Sequence, residues 1–149
     1  MSWKDFLNNK EEEQPQKEGR GMDQKSVAKP PVLFSETQQV LKAVEAKLGG
    51  TLITYYNSNA GSVCGNDASA MYEILKGKKI DTAYLFIKSD GGSGIAALSI
   101  ISTLRNYCKN ITALIPANCA SAATMMALGA NEIVMGPLAY LTAVDTSLK

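Results

Sequence analysis

Histidine is missing from all 149 residues, and with it the side chain most often used as a general base near neutral pH or as a zinc ligand. Cysteine is scarce: Cys64, Cys108 and Cys119 are an odd number at wide spacings, which argues against a disulfide framework and suits a reducing compartment. Neither charge sign dominates, with 15 Lys plus Arg against 14 Asp plus Glu. This balance, with no basic stripe carrying interleaved aromatics, gives no electrostatic reason to expect a nucleic-acid partner. Long apolar runs are also missing. Ala122 to Ala130 falls well short of a bilayer span and the N-terminus has no signal-peptide core, so the chain reads as soluble and cytoplasmic. No metal and no cofactor is called for.

What is present divides into two parts. Residues 1 to 31 are polar and charged, with Glu11-Glu12-Glu13 and Pro30-Pro31, and cannot bury enough apolar surface to offset ordering. They read as a flexible arm, in which Trp3, Phe6 and Leu7 are either stray aromatic and apolar residues or a short docking peptide. Residues 32 to 149 read as one domain, with the C-terminal end of its fold left open.

Within that domain, Ser35-Glu36-Thr37-Gln38 has the form of a capping box, and Val40, Leu41, Val44 and Leu48 follow at helical spacing until Gly49-Gly50. A strand is expected at 51–56. A second helix, capped at Asn66 or Asp67, carries Ala70, Met71, Ile74 and Leu75 to Gly77. The nearly continuous apolar run Thr82 to Ile87 predicts a parallel strand covered on both faces. After Asp90-Gly91-Gly92-Ser93-Gly94, Ile95, Leu98, Ile101 and Leu104 mark a helix to about Tyr107. A strand at 111–115, a short helix opening at Ser121 and a strand at 132–135 complete the alternation of an α/β fold with a mainly parallel sheet. No terminal element is discernible after Gly136-Pro137.

Two turns follow parallel strands and therefore fall at the same carboxyl edge, where such sheets place ligands. One holds Gly91 and Gly92, whose backbone can approach a ligand closely. The other holds Ser121 at the start of a helix, beside unpaired N–H groups. Plainer readings exist for both: a tight strand-to-helix turn for the glycines and a helix N-cap for the serine. Gly92-Ser93-Gly94 also begins a dinucleotide fingerprint, but the third glycine is replaced by Ala97. Cys119, two residues before Ser121, has no histidine to activate it and reads as a small core residue.

Together, Ser89-Asp90-Gly91-Gly92, then Ala120-Ser121-Ala122-Ala123-Thr124 about thirty residues on, then Ala130-Asn131-Glu132-Ile133-Val134-Met135, Pro137 and Asp145 resemble the ClpP/crotonase superfamily. The likeness is greatest to the serine dehydrogenase proteinase family, a ClpP-class, signal peptide peptidase A-like group of serine proteases, and covers roughly residues 50 to 148. It implies a spiral of ββα units, Ser121 as nucleophile, an oxyanion hole from Gly91, Gly92 and Ala122, a peptide or protein substrate and a homo-oligomer. The family includes membrane-associated members, which leaves membrane association open. Three departures stand out. Asp90 replaces a proline, Ala123 replaces a frequent glycine, and no histidine base exists. Lys88 and Lys149 are the nearest lysines, each equally readable as a solvated side chain, and Asp145 fits an orienting role better than a base.

Three readings follow. The first is a serine peptidase (a hydrolase) whose extended substrate adds as a strand beside residues 92 to 95. The second is a catalytically inactive oligomerisation or peptide-binding module. The third, an acyl-CoA enzyme, would need a carboxylate base and a basic patch, and neither is evident.

Overall fold

The computed structural model describes residues 34–144. The expected arm with Trp3, Phe6 and Leu7, and the supporting positions Asp145 and Lys149, lie outside the described residues.

The order of elements is α1 (Phe34–Leu48), β1 (Thr51–Tyr56), α2 (Gly65–Leu75), β2 (Ile80–Lys88), α3 (Gly94–Tyr107), β3 (Cys108–Ile115), β4 (Asn118–Cys119), α4 (Ala122–Leu128), β5 (Glu132–Met135) and β6 (Tyr140–Leu141). Four strands form one parallel sheet in the order β1-β2-β3-β5. Thr54 stands opposite Phe86, Phe86 opposite Leu114 and Leu114 opposite Val134. The expected α/β fold with a mainly parallel sheet is therefore present. A second, two-stranded sheet pairs β4 with β6 in parallel. This small sheet supplies the terminal element that was not discernible in the sequence.

Alternation along the strands decides where the core sits. Ile53 and Tyr55, Ala83, Leu85 and Ile87, and Ile111, Ala113 and Ile115 point to one face and pack with Met71, Leu75, Ala97, Ile100, Leu104, Ala123 and Met126 of the helices. The opposite face is not covered as the apolar run in β2 suggested: Thr82, Tyr84, Phe86 and Lys88 are only half-buried, and Val134 is exposed.

The helices also turn differently from their apolar spacing. In α1, Val40 and Val44 are exposed, while Leu41, Glu45 and Leu48 are half-buried. Glu45 Oε1 accepts the Leu52 N–H at 2.9 Å, so this side chain closes part of the free edge of β1. In α3, Ile95 and Leu98 are exposed, and the small Ala96 and Ala97 are buried with Ile100, Ile101 and Leu104. Small residues let α3 approach the sheet closely. The cap of α2 is Cys64 rather than Asn66 or Asp67. Asp67 stands one turn inside, where its carboxylate accepts the Cys64 N–H at 2.9 Å and the Tyr55 hydroxyl at 2.8 Å. No helix among the described residues is long and apolar enough to cross a membrane.

Candidate active site

Because β2 and β3 run in parallel, their exits meet at one end of the sheet, and the chain continues the pairing there through an isolated bridge between Ser89 and Cys119. Ser89 donates its N–H to Asn118 O at 3.1 Å and accepts the Ala120 N–H at 3.0 Å. The Ser89 side chain is fully buried. Its hydroxyl donates to Asn57 Oδ1 at 2.7 Å and accepts the Gly91 N–H at 3.1 Å. The glycine turn is thus fastened from beneath by a polar group whose bonds are all internal, the arrangement a buried hydroxyl requires.

From this base the two turns converge. Gly91 has φ +103°, and a β-carbon there would lie 2.8 Å from Ala120 O and 2.9 Å from Ser121 Cβ. Gly92 has φ +144° and bridges Val63, whose N–H reaches Gly91 O and whose carbonyl accepts the Ser93 N–H, both at 2.8 Å. In a parallel bridge of this kind the Gly92 N–H points away from Val63. That N–H makes no hydrogen bond to another described residue. The Ser93 hydroxyl then accepts from Ala96 N at 3.2 Å and caps α3.

On the other turn, Ser121 has φ 50° and ψ −119°, and it alone among the described non-glycine residues has a positive φ. Such a conformation costs of the order of 1–3 kcal/mol and persists only where the surroundings impose it. A serine on a strained turn between a strand and a helix has its hydroxyl lifted clear of the backbone. Ser121 occupies the N-cap position of α4, but its side chain makes no capping hydrogen bond. The next N–H, that of Ala122, also has no partner among the described residues, although Ala122 is buried. Ala122 is the first residue of α4, so its N–H is one of those a helix leaves without an intrahelical partner, available to an incoming oxygen.

Of the sequence-predicted positions, the fold brings Gly91, Gly92, Ser121 and Ala122 to one edge, and their roles there are not the same. The Gly91 N–H is engaged by Ser89, so Gly91 serves the close approach of the turns, while Gly92 and Ala122 hold the unengaged N–H groups. Lys88 is turned toward the end of β1: its ammonium donates to Asn57 O and Asn59 Oδ1, each at 3.3 Å, and lies 5.1 Å from the centre of the Tyr56 ring. Asp90, where the resembled family has proline, accepts a hydrogen bond from Asn118 Nδ2. Cys119 is fully buried and its thiol is pushed up to about 11 by burial, the opposite of what a nucleophilic thiolate requires. Residues 94 and 95 belong to α3, so the extended edge expected at 92 to 95 is limited to Gly91–Ser93. Ser89 entered the sequence reading only as part of the glycine-turn motif, with no role of its own, and Asn57, Val63 and Thr142 were given none.

Two surface concavities lie elsewhere. One of about 560 Å³ is at the amino ends of β1 and β2, lined by Gly50, Thr51, Asp81 and Thr82 among others. The other, about 380 Å³, lies on the half-open sheet face at Tyr84, Thr112 and Glu132. Neither includes Ser121, and neither is at the carboxyl edge.

No known protein family and no curated protein matches the chain. Among solved structures it is similar to a ClpP1 point mutant from Listeria monocytogenes, with 19% sequence identity and a TM-score of 0.47. The match covers 63% of this chain and 50% of that one, so the chain corresponds to about half of the ClpP1 structure's length.

Proposed function

We propose that this chain carries the nucleophile and oxyanion hole of a ClpP-class serine peptidase. The observation that supports it most is Ser121 itself. This serine is held at φ 50° and ψ −119°, makes no side-chain capping hydrogen bond from its N-cap position, and stands on the turn that meets the glycine turn. In this reading Ser121 Oγ attacks a peptide carbonyl carbon. The oxyanion that forms accepts hydrogen bonds from the Gly92 and Ala122 N–H groups, and the serine proton passes through a base to the leaving amine. Water then hydrolyses the Ser121 ester and restores the serine. The substrate backbone pairs with the short edge at Gly91–Ser93.

Among the described residues no side chain makes a hydrogen bond to the Ser121 hydroxyl. The base is therefore assigned to a group outside them, Lys149 or one from a neighbouring copy, with Asp145 in an orienting role. Assembly as a homo-oligomer belongs to the same proposal. The unpartnered hydroxyl and the lack of histidine also favour the alternative, an inactive peptide-binding module of the same fold. Incubation with a mixed peptide library, read by mass spectrometry, separates the two. New termini absent with Ser121→Ala support the peptidase; binding without cleavage supports the module.

A further inference from the structure

A residue with a β-carbon does not rest at φ 50° and ψ −119° unless something holds it there. Ser121 is held at both ends of its own backbone. Its carbonyl accepts the Met125 N–H at 3.4 Å, a long bond, whereas its N–H donates to Thr142 Oγ1 at 2.8 Å. The second bond is the shorter and comes from a distant part of the chain. We infer that Thr142 is a positioning residue for Ser121, fixing the strained turn and, by engaging the Ser121 N–H, leaving Gly92 and Ala122 as the donors of the oxyanion hole.

The small sheet explains how Thr142 reaches that position. β6 pairs in parallel with β4, Asn118 opposite Tyr140 and Cys119 opposite Leu141, and Tyr140 donates its N–H to Ala117 O at 3.2 Å. One residue beyond each strand, Thr142 lies alongside the Ala120–Ser121 segment. Its own proton is directed to Ala143 O at 3.3 Å, which presents the hydroxyl to Ser121 as an acceptor. A side chain of the same shape without oxygen would leave the Ser121 N–H unpaired and free to turn toward the oxyanion site. The two-residue strand β6, which packs Leu141 against the core, thereby also carries the Thr142 hydroxyl to Ser121.

The functional consequence rests on the reading of Ser121 as nucleophile; the structural one does not, and the test keeps them apart. The 149-residue chain is prepared as wild type, Thr142→Val, Thr142→Ala and Thr142→Ser. Hydrogen exchange of the Ser121 amide, followed by NMR, is compared with that of Ala123, whose N–H bonds to Ala120 O. Thr142→Val and Thr142→Ala are expected to speed Ser121 exchange about tenfold or more while sparing Ala123, and Thr142→Ser to restore the wild-type rate. The rate of fluorophosphonate labelling should fall about tenfold in the first two variants and recover in Thr142→Ser, with melting temperatures unchanged within a few degrees. Unchanged Ser121 exchange in both oxygen-free variants, or a Thr142→Ser variant as impaired as Thr142→Val, overturns the inference. If wild type does not label at all, the peptidase reading fails, and the exchange data still decide the role of Thr142.

Discussion

Gly91 and Ser121 are in contact across the carboxyl edge of the sheet, so close that a β-carbon on Gly91 would lie 2.9 Å from that of Ser121. Twenty-nine intervening residues fold into a helix and two strands that return the chain to this contact (121 minus 91, less one). Gly91→Ala must therefore displace the serine turn and also adopt a φ of +103°. We predict a loss of about 2–3 kcal/mol in urea unfolding, from overpacking and backbone strain together. Labelling of Ser121 is predicted to be lost even where the variant remains folded.

Ser89 supports the same contact from below. Ser89→Ala strips the Gly91 N–H of its acceptor and Asn57 of its donor in a fully buried place. The expected cost is about 1–3 kcal/mol. Ser99→Ala, on the exposed side of α3, should stay within about 0.5 kcal/mol and serves as the control.

Alkaline pH should weaken the fold. Burial raises the Cys119 thiol to about 11 from an ordinary value near 9, and burial together with the Asp67 carboxylate raises the Tyr55 phenol well above its ordinary 10. Both groups stay protonated in the native chain where the unfolded chain has begun to ionise. Their contribution is complete below about pH 9 and is lost as pH rises through the folded values, by up to about 1.4 kcal/mol per pH unit for each group. Urea unfolding between pH 8 and 11 should show this decline, with a shallower slope in Cys119→Ala. At pH 8, alkylation should modify the half-buried Cys64 well before buried Cys108 and Cys119.

Asp90 places a carboxylate on the glycine turn, beside the site where the proposed mechanism develops negative charge. Asp90→Asn keeps a partner for Asn118 and removes the charge. At an exposed position this is worth roughly 0.5–1 kcal/mol, or about a two- to fivefold faster reaction of Ser121 with fluorophosphonate. The gain should shrink in high salt. A slower reaction would mean that the carboxylate assists the site.

The legible parts of the fold were those in which local chemistry and tertiary setting agree. Thr51–Tyr56 and Glu132–Met135 are strands at the residues expected, because β-branched and aromatic runs lie between clear breaks. The convergence of Gly91 and Ser121 was legible because parallel strands must deliver their exits to one edge. The pairing of β4 with β6 was not, since two residues carry no periodicity and the pairing exists only through tertiary contact. Nor was the half-open sheet face: Tyr84 and Phe86 read as apolar whether covered or not. Asp67 was taken for a cap because its residue type suits one, whereas the cap is the atypical Cys64, with Asp67 answering from inside the helix. The engagement of Gly91 by Ser89, which separates the three small residues of the site into different roles, depends on side-chain geometry that no spacing encodes.

Intact-mass labelling of the native 149-residue chain with a fluorophosphonate, beside Ser121→Ala, tests the central claim most directly. The account predicts one covalent adduct on the native chain and none on the variant. A folded sample that takes up no adduct, or one labelled equally in Ser121→Ala, would contradict it.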